Sequence, residues 1–386
     1  MMREHIVALR EILATERGVL LPGAANALAA RIIADLGFEA VYLTGAGLTN
    51  MHLGLPDLGF MDLSQVVEHT MAIRGITNLP VIVDADTGFG NALNVGHTVT
   101  MLERAGASAI QIEDQVTPKR CGHFDGQELI SAAEMVNKVR AAVDARRDDV
   151  IIIARTDARA AEGFESAIDR AGRYIAAGAD MTFVEAPQTP EEVRQIPRLL
   201  GVPQMLNMVV GGKTPITDRA AASQMGFGLV LYANVALQGA ISGMQRALTA
   251  LRENGSLDEA EGIIATFAER QRLVDKPALD ALGRRYETGQ THLPAKNKRR
   301  ARASSVHQSN SAAKPVQPKE GRHDEPGRNC CYFHFRLHGR SAAGARGVAG
   351  SRHPLGRAVR SRRRKRPDRA GCRRRRQQAP GTAGDH

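Results

Sequence analysis

The chain has 386 residues, 43% of them apolar, which is enough for one large domain or two ordinary ones with a sizeable buried core. Its net charge of +11 is divided unevenly: residues 291–386 carry 25 Lys/Arg against 5 Asp/Glu, a net +20, while residues 1–290 carry 27 against 36, a net −9. An acidic body argues against a domain built to bind nucleic acid.

From the N-terminus, charges at Arg3, Glu4, Arg10, Glu11, Glu16 and Arg17 interrupt every short apolar run, so no secretory core is expected. No apolar stretch reaches the roughly 18 residues of a membrane span. Cys121 is the only thiol of the body, with Cys330, Cys331 and Cys372 in the tail, and this suits a reducing, cytoplasmic setting. Eight short apolar runs then follow in order: 19–24, 40–47, 80–88, 109–114, 150–158, 181–187, 202–209 and 229–234. Continuous apolar runs fit parallel strands covered on both faces. Intervening stretches such as 24–36, 94–105, 131–145 and 165–177 have helical periodicity. Gly37, Gly106, Gly178 and Gly226 stand where left-handed helix caps belong. The pattern predicts a (β/α)8 TIM barrel over residues 1–290; a doubly wound open sheet shares the alternation.

Two connections exceed what a βα unit needs, LTNMHLGLPDLGFMDLS after strand two and QVTPKRCGHFDGQELIS after strand four, and both are candidate active-site loops. Residues 291–386 are rich in Arg, Gly, Ala and Pro without aliphatic periodicity. This composition predicts a disordered tail that binds polyanions non-specifically; the plainer reading is an accidental extension.

In a barrel the chemistry stands at the C-terminal strand ends, and here acidic groups dominate those ends. Asp84 and Asp86 are two apart and would share one face of a strand, together with Asp57, Glu113 and Glu185. Such crowding of carboxylates calls for a divalent cation, and hard oxygen ligands suit Mg2+. Taken alone, Asp84 and Asp86 read as caps of the next helix; Asp57, Glu113 and Glu185 at the same mouth turn the reading to a metal site. Thr44, Gly45 and Ala46 offer backbone N–H groups able to hold an anionic oxygen. In the run Lys119-Arg120-Cys121-Gly122-His123, cationic neighbours would favour the Cys121 thiolate, and Gly122 gives the loop freedom to move. A lone Cys is ordinarily a small buried apolar group, but this stretch is too polar for that. His5, His52, His69 and His97 show no metal-ligand spacing.

The segments LTGAG, GLPDLG, VDADTGFGN, IEDQ, PKRCGH, ARTDA, EAP and NMVVGGKTP, in this order, resemble the isocitrate lyase/phosphoenolpyruvate mutase superfamily in its methylisocitrate lyase-like branch, over roughly residues 5–285. The resemblance implies a barrel whose last helix is swapped between subunits of a tetramer, a dimer of dimers. It places Mg2+ on Asp84 and Asp86, with Asp57 and Glu113 reaching it mostly through water. Thr44, Gly45 and Ala46 match the segment holding the keto-acid end of a small carboxylate substrate. Arg155 and Asn207 match substrate-carboxylate contacts, Glu185 an active-site carboxylate, and Cys121, Gly122 and His123 the catalytic loop. Two positions depart from methylisocitrate lyases, which usually have His at Gln111 and Arg at Gln238; without that Arg a third substrate carboxylate would be left unpaired, at a cost of a few kcal/mol. The segments EAP and NMVVGGKTP look more like the branch containing 2,3-dimethylmalate lyase and carboxyphosphonoenolpyruvate phosphonomutase. A carbon–carbon lyase acting on a substituted malate or related 2-hydroxy di- or tricarboxylate is expected, of the 2-methylisocitrate or 2,3-dimethylmalate type. The alternatives are a phosphonomutase and a basic-tailed nucleic-acid binding protein with an inactive barrel.

Overall fold

The structure is a computed structural model and describes residues 3–15, 17–120, 126–215 and 217–287. Each apolar run contains a strand: β1 (Val19–Ala24), β2 (Val41–Leu43), β3 (Val81–Asp84), β4 (Ala109–Glu113), β5 (Ile151–Thr156), β6 (Met181–Val184), β7 (Met205–Asn207) and β8 (Leu229–Tyr232). All pair in parallel, in the order β6-β5-β4-β3-β2-β1-β8-β7. The remaining seam, β6 to β7, is joined by a parallel bridge between Thr182 and Gln204, where the Thr182 hydroxyl donates to Gln204 Oε1 at 2.8 Å. The ring of eight is therefore a (β/α)8 barrel. A doubly wound sheet would leave two open edges and is excluded.

Helices separate the strands: α1 (Glu4–Leu13), α2 (Ala27–Asp35), the single turn α3 (Gly45–Leu48), α4 (Leu63–Arg74), α5 (Ala92–Ala105), α6 (Ala132–Ala145), α7 (Ala158–Ala161), α8 (Phe164–Ala176), α9 (Pro190–Leu199), α10 (Arg219–Met225), α11 (Val235–Asn254), α12 (Phe267–Leu273) and α13 (Lys276–Glu287). The four predicted helical stretches correspond to α2, α5, α6 and α8. All four predicted cap glycines have positive φ, from +79° at Gly37 to +106° at Gly178. The run 40–47 is shorter as a strand than expected, because Thr44 caps α3 by accepting from the Gly47 N–H at 3.3 Å and turns the chain into a helix.

Strand alternation divides the core in two. Leu21, Tyr42, Ile82, Ala109, Ile151, Ile153, Phe183 and Leu229 fill the barrel, joined from below by Leu9, Ile12 and Leu13 of α1. Val41, Val83, Ile110, Ile112 and Ile152 face outward against the helices. Each fully buried Val, Leu, Ile or Phe among them contributes about 1.5–3 kcal/mol. The inward parity carries upward: 42 to Thr44, 82 to Asp84, 109 to Gln111 and Glu113, 153 to Arg155, 183 to Glu185, 205 to Asn207 and 231 to Ala233. The polar layer at the mouth thus continues the barrel interior.

Candidate active site

At the C-terminal mouth lies a cavity of about 60 Å3, lined by Thr44, Ala46, Asp57, Asp84, Arg155, Glu185 and Asn207, together with Tyr42, Lys119, Val209, Leu231, Ala233 and Asn234. Asp86 and Glu113 adjoin it through Lys119 and Arg155. Cys121, Gly122 and His123 lie outside the described residues.

Asp84 ends β3 and is held from three directions. Its Oδ1 accepts from Gln111 Nε2 at 3.2 Å and from the Asp86 N–H at 3.3 Å, and its Oδ2 accepts from the Gly45 N–H at 3.3 Å. Asp86 does not share a strand face with it as expected: the strand stops at Asp84, and Asp86 has a left-handed φ of +47°. The two carboxylates converge even so. A Cβ on Gly45 would stand 3.1 Å from Asp86 Oδ1 and 3.2 Å from Asp84 Oδ2, so this position keeps the approach open only while it lacks a side chain. Neither aspartate caps the following helix; Asn91 does, accepting from the Leu93 and Asn94 N–H groups.

Two cations meet these carboxylates. The buried Lys119 ammonium lies 2.6 Å from Asp57 Oδ1, 2.7 Å from Asp57 Oδ2 and 3.0 Å from Asp86 Oδ1. The last contact is an ion pair in which the ammonium is the nearest donor to Asp86 Oδ1. Burial pulls the Lys119 pKa down, but Asp86 and Asp57 more than reverse this and hold it well above the ordinary lysine value. Burial raises the Asp86 pKa to about 6 against the pull of Lys119. Arg155 donates twice to Asp157, at 2.9 and 2.8 Å, and pairs with Glu113 at 3.3 Å and Glu185 at 3.4 Å. Burial also lifts the Glu113 carboxyl well above its usual range, and its Oε1 lacks a donor. Asn207 gives its Nδ2 to Glu185 at 3.2 Å, which leaves Oδ1 buried and unpartnered.

Six carboxylates here face two cations, and the unsatisfied atoms are acceptors. Among the described residues no group of three or more His, Cys, Asp or Glu side chains is arranged to hold an ion directly. The oxygen chemistry of this donor set fits a hard cation that keeps several waters, one of which would donate to the unpartnered Glu113 Oε1.

The sequence reading missed several residues that the fold brings in. Tyr42 donates to Gln111 Oε1 at 3.0 Å; in the sequence Gln111 stands out only as a departure from methylisocitrate lyases. The inward parity of Tyr42 and Gln111 was the available signal. Lys119 was read as a neighbour of Cys121, and no local spacing reveals its 62-residue reach to Asp57. Asn234 read as the end of an apolar run.

Residues 9–252 match the family described as phosphoenolpyruvate phosphomutase. The chain belongs to that family. Its resemblance to the isocitrate lyase/phosphoenolpyruvate mutase superfamily, read from the motifs, is thereby borne out. The chain is 41% identical over 282 residues to 2,3-dimethylmalate lyase of Eubacterium barkeri, covering 73% of this chain and 98% of that relative. It is 45% identical over 250 residues to 2-methylisocitrate lyase of Aeropyrum pernix, covering 65% and 80%. A solved phosphonopyruvate hydrolase in complex with oxalate and Mg2+ superposes with a TM-score of 0.66 at 32% identity, over 74% of this chain and 99% of that one.

Proposed function

We propose that this enzyme is a carbon–carbon lyase that cleaves a substituted malate, or a related 2-hydroxy carboxylate, to an α-keto acid and a carboxylic acid. The observation that carries this reading is the convergence of Asp84 and Asp86 on the bare face of Gly45, beside donor-starved acceptors, in a chain whose relatives are named lyases. Asp84 and Asp86 would hold Mg2+, with Asp57 and Glu113 engaging its waters; when bound, the ion supplies Lewis-acid polarisation of the substrate hydroxyl and its neighbouring carboxylate.

The chain's own residues do the rest. The Gly45 and Gly47 N–H groups are engaged by Asp84 and Thr44, so the Ala46 N–H of that turn would meet the keto-acid end, and Arg155, fixed by Asp157, would offer its remaining surface to a substrate carboxylate. Glu185, which accepts from the Asn207 amide, would take the hydroxyl proton. Loss of that proton and rupture of the carbon–carbon bond leave the keto acid and a carboxylate-stabilised carbanion. Cys121, assisted by His123 and the backbone at Gly122, delivers the proton that completes the carboxylic acid product. The catalytic domain is residues 1–290, with 291–386 a basic tail. The exposed Ile241, Met244 and Leu248 of α11 and the absence of any buried residue in α13 support an oligomer in which these faces meet a second subunit. No helix among the described residues is long and apolar enough to cross a membrane, and a cytoplasmic location belongs to the same proposal.

The test is a panel of 2-hydroxy di- and tricarboxylates assayed for keto-acid release. Activity should vanish with a chelator and return with Mg2+. Full activity in chelator would overturn the metal assignment, and phosphonate rearrangement seen by phosphorus NMR, without keto-acid release from the panel, would overturn the lyase reading.

A further inference from the structure

We propose that Asn234 is a substrate-binding residue that takes the distal carboxylate of an alkyl-substituted dicarboxylate. The proposal rests on the lyase reading above and names the substrate class of the same site. Asn234 follows β8 and occupies the N-cap position of α11, where an Asn side chain normally accepts a helix N–H. It makes no such bond. Instead it lines the cavity with Oδ1 buried and unpartnered. Asn207 is different, since its nitrogen is already committed to Glu185. Asn234 is therefore a cavity amide whose two ends are both uncommitted, and rotation about its last bond presents either a donor or an acceptor.

Its place is fixed by β1. A Cβ on Gly23 would stand 1.9 Å from the Ala233 carbonyl oxygen, so the backbone leading into Asn234 rests directly on a glycine. Val209, Leu231 and Ala233 make this part of the lining apolar. The two cations belong elsewhere on the ring: Arg155 is on β5, and Lys119 follows β4, which stands across the barrel from β8. A ligand end placed here meets an amide donor and aliphatic surface, while the two cations that line the same cavity enter it from the β4 and β5 side and are already paired with carboxylates. This end of the cavity accepts one carboxylate and its alkyl neighbours, and it leaves a further carboxylate without compensation.

The variants are Asn234→Asp, which keeps the shape and opposes a carboxylate, and Asn234→Ala, which guards against failure of the first to fold. Two measurements apply: calorimetric binding of 2,3-dimethylsuccinate, which has no hydroxyl and is not cleaved, and kcat/KM for keto-acid release from alkylated malates and from tricarboxylates, both with Mg2+. Asn234→Asp should weaken the succinate by at least about tenfold and raise KM similarly, with kcat much less affected and Mg2+ affinity unchanged. Affinities within about twofold of wild type in both variants, failure of wild type to bind the succinate, or a wild-type preference for tricarboxylates would each overturn the proposal. If wild type binds the succinate but releases no keto acid from any compound, the lyase reading fails, and the Asn234 assignment is decided by the affinity difference alone.

Discussion

Gln111 is buried between Tyr42, whose hydroxyl it accepts, and Asp84, to which it donates. It orients a carboxylate read as a metal ligand without facing the ion itself. Such supporting partners commonly govern metal affinity by 10–100-fold. Replacing Gln111 with Leu should weaken Mg2+ binding by about that factor, and leaving the Tyr42 hydroxyl unpaired should cost about 1–3 kcal/mol of stability; calorimetric titration and thermal melts check the two effects separately. At Cys121 the expectation is chemical. A Ser hydroxyl is a far weaker acid than a thiol with an ordinary pKa of about 8.5. Cys121→Ser should therefore retain Mg2+ and substrate binding yet lose cleavage by at least about a thousandfold. Cleavage near the wild-type rate would remove Cys121 from the acid role. These residues also mark the limit of sequence reading. Asp84, Glu113 and Asn207 were legible because each is a polar residue near the C-terminal end of an apolar run, where a barrel exposes its chemistry. Lys119 and Asn234 were not, since an ammonium reaching back to Asp57 and an asparagine that forgoes helix capping are products of three-dimensional packing.

At the level of elements, the strands were legible because a parallel strand covered on both faces must be apolar throughout. The α3 turn was not, because LTGAG is equally apolar whether extended or helical, and the Thr44 cap decides it. The helix α1 closes the opposite end of the barrel and carries a titratable latch. Ser108 Oγ accepts from the Val81 N–H at 3.0 Å and from Arg74 at 3.4 Å, so its hydrogen is free to be donated to His5 Nδ1, 2.8 Å away. That arrangement requires a neutral imidazole. Burial, then Arg74 and Arg3, lower the His5 pKa from 6.5 to about 4. Because the folded value is the lower one, the unfolded chain binds the proton first on acidification. The contribution is complete above pH 6.5 and is lost as pH falls from there towards 4. At pH 5 the loss should be about 1–2 kcal/mol, allowing for the partial exposure of this ring. Denaturant melts of wild type and His5→Gln at pH 7.5 and pH 5 check it, and an equal acid sensitivity in both proteins would exclude the latch.

For the molecule as a whole, the proposed division is between an acidic body and a basic tail. Residues 291–386 carry a net +20 with no core-forming pattern, so removing them should leave the melting temperature and turnover nearly unchanged while abolishing salt-sensitive binding to DNA or RNA. A truncated protein that unfolds or changes its oligomeric state would show that the tail is structural. The crowding of Asp57, Asp84, Asp86, Glu113, Asp157 and Glu185 around Lys119 and Arg155 bears on heat resistance as well as on chemistry. Without an ion, the native barrel carries mutual repulsion that the denatured chain relieves by dispersing those charges. A cation that binds only the folded state adds about 2.7 kcal/mol at a hundred times its dissociation constant, which for a domain of this size raises the melting temperature by several degrees. Glu113→Gln should give a more heat-resistant apoprotein that gains less from Mg2+, so differential scanning calorimetry would register the functional charge of this barrel as a deficit in its own thermal endurance.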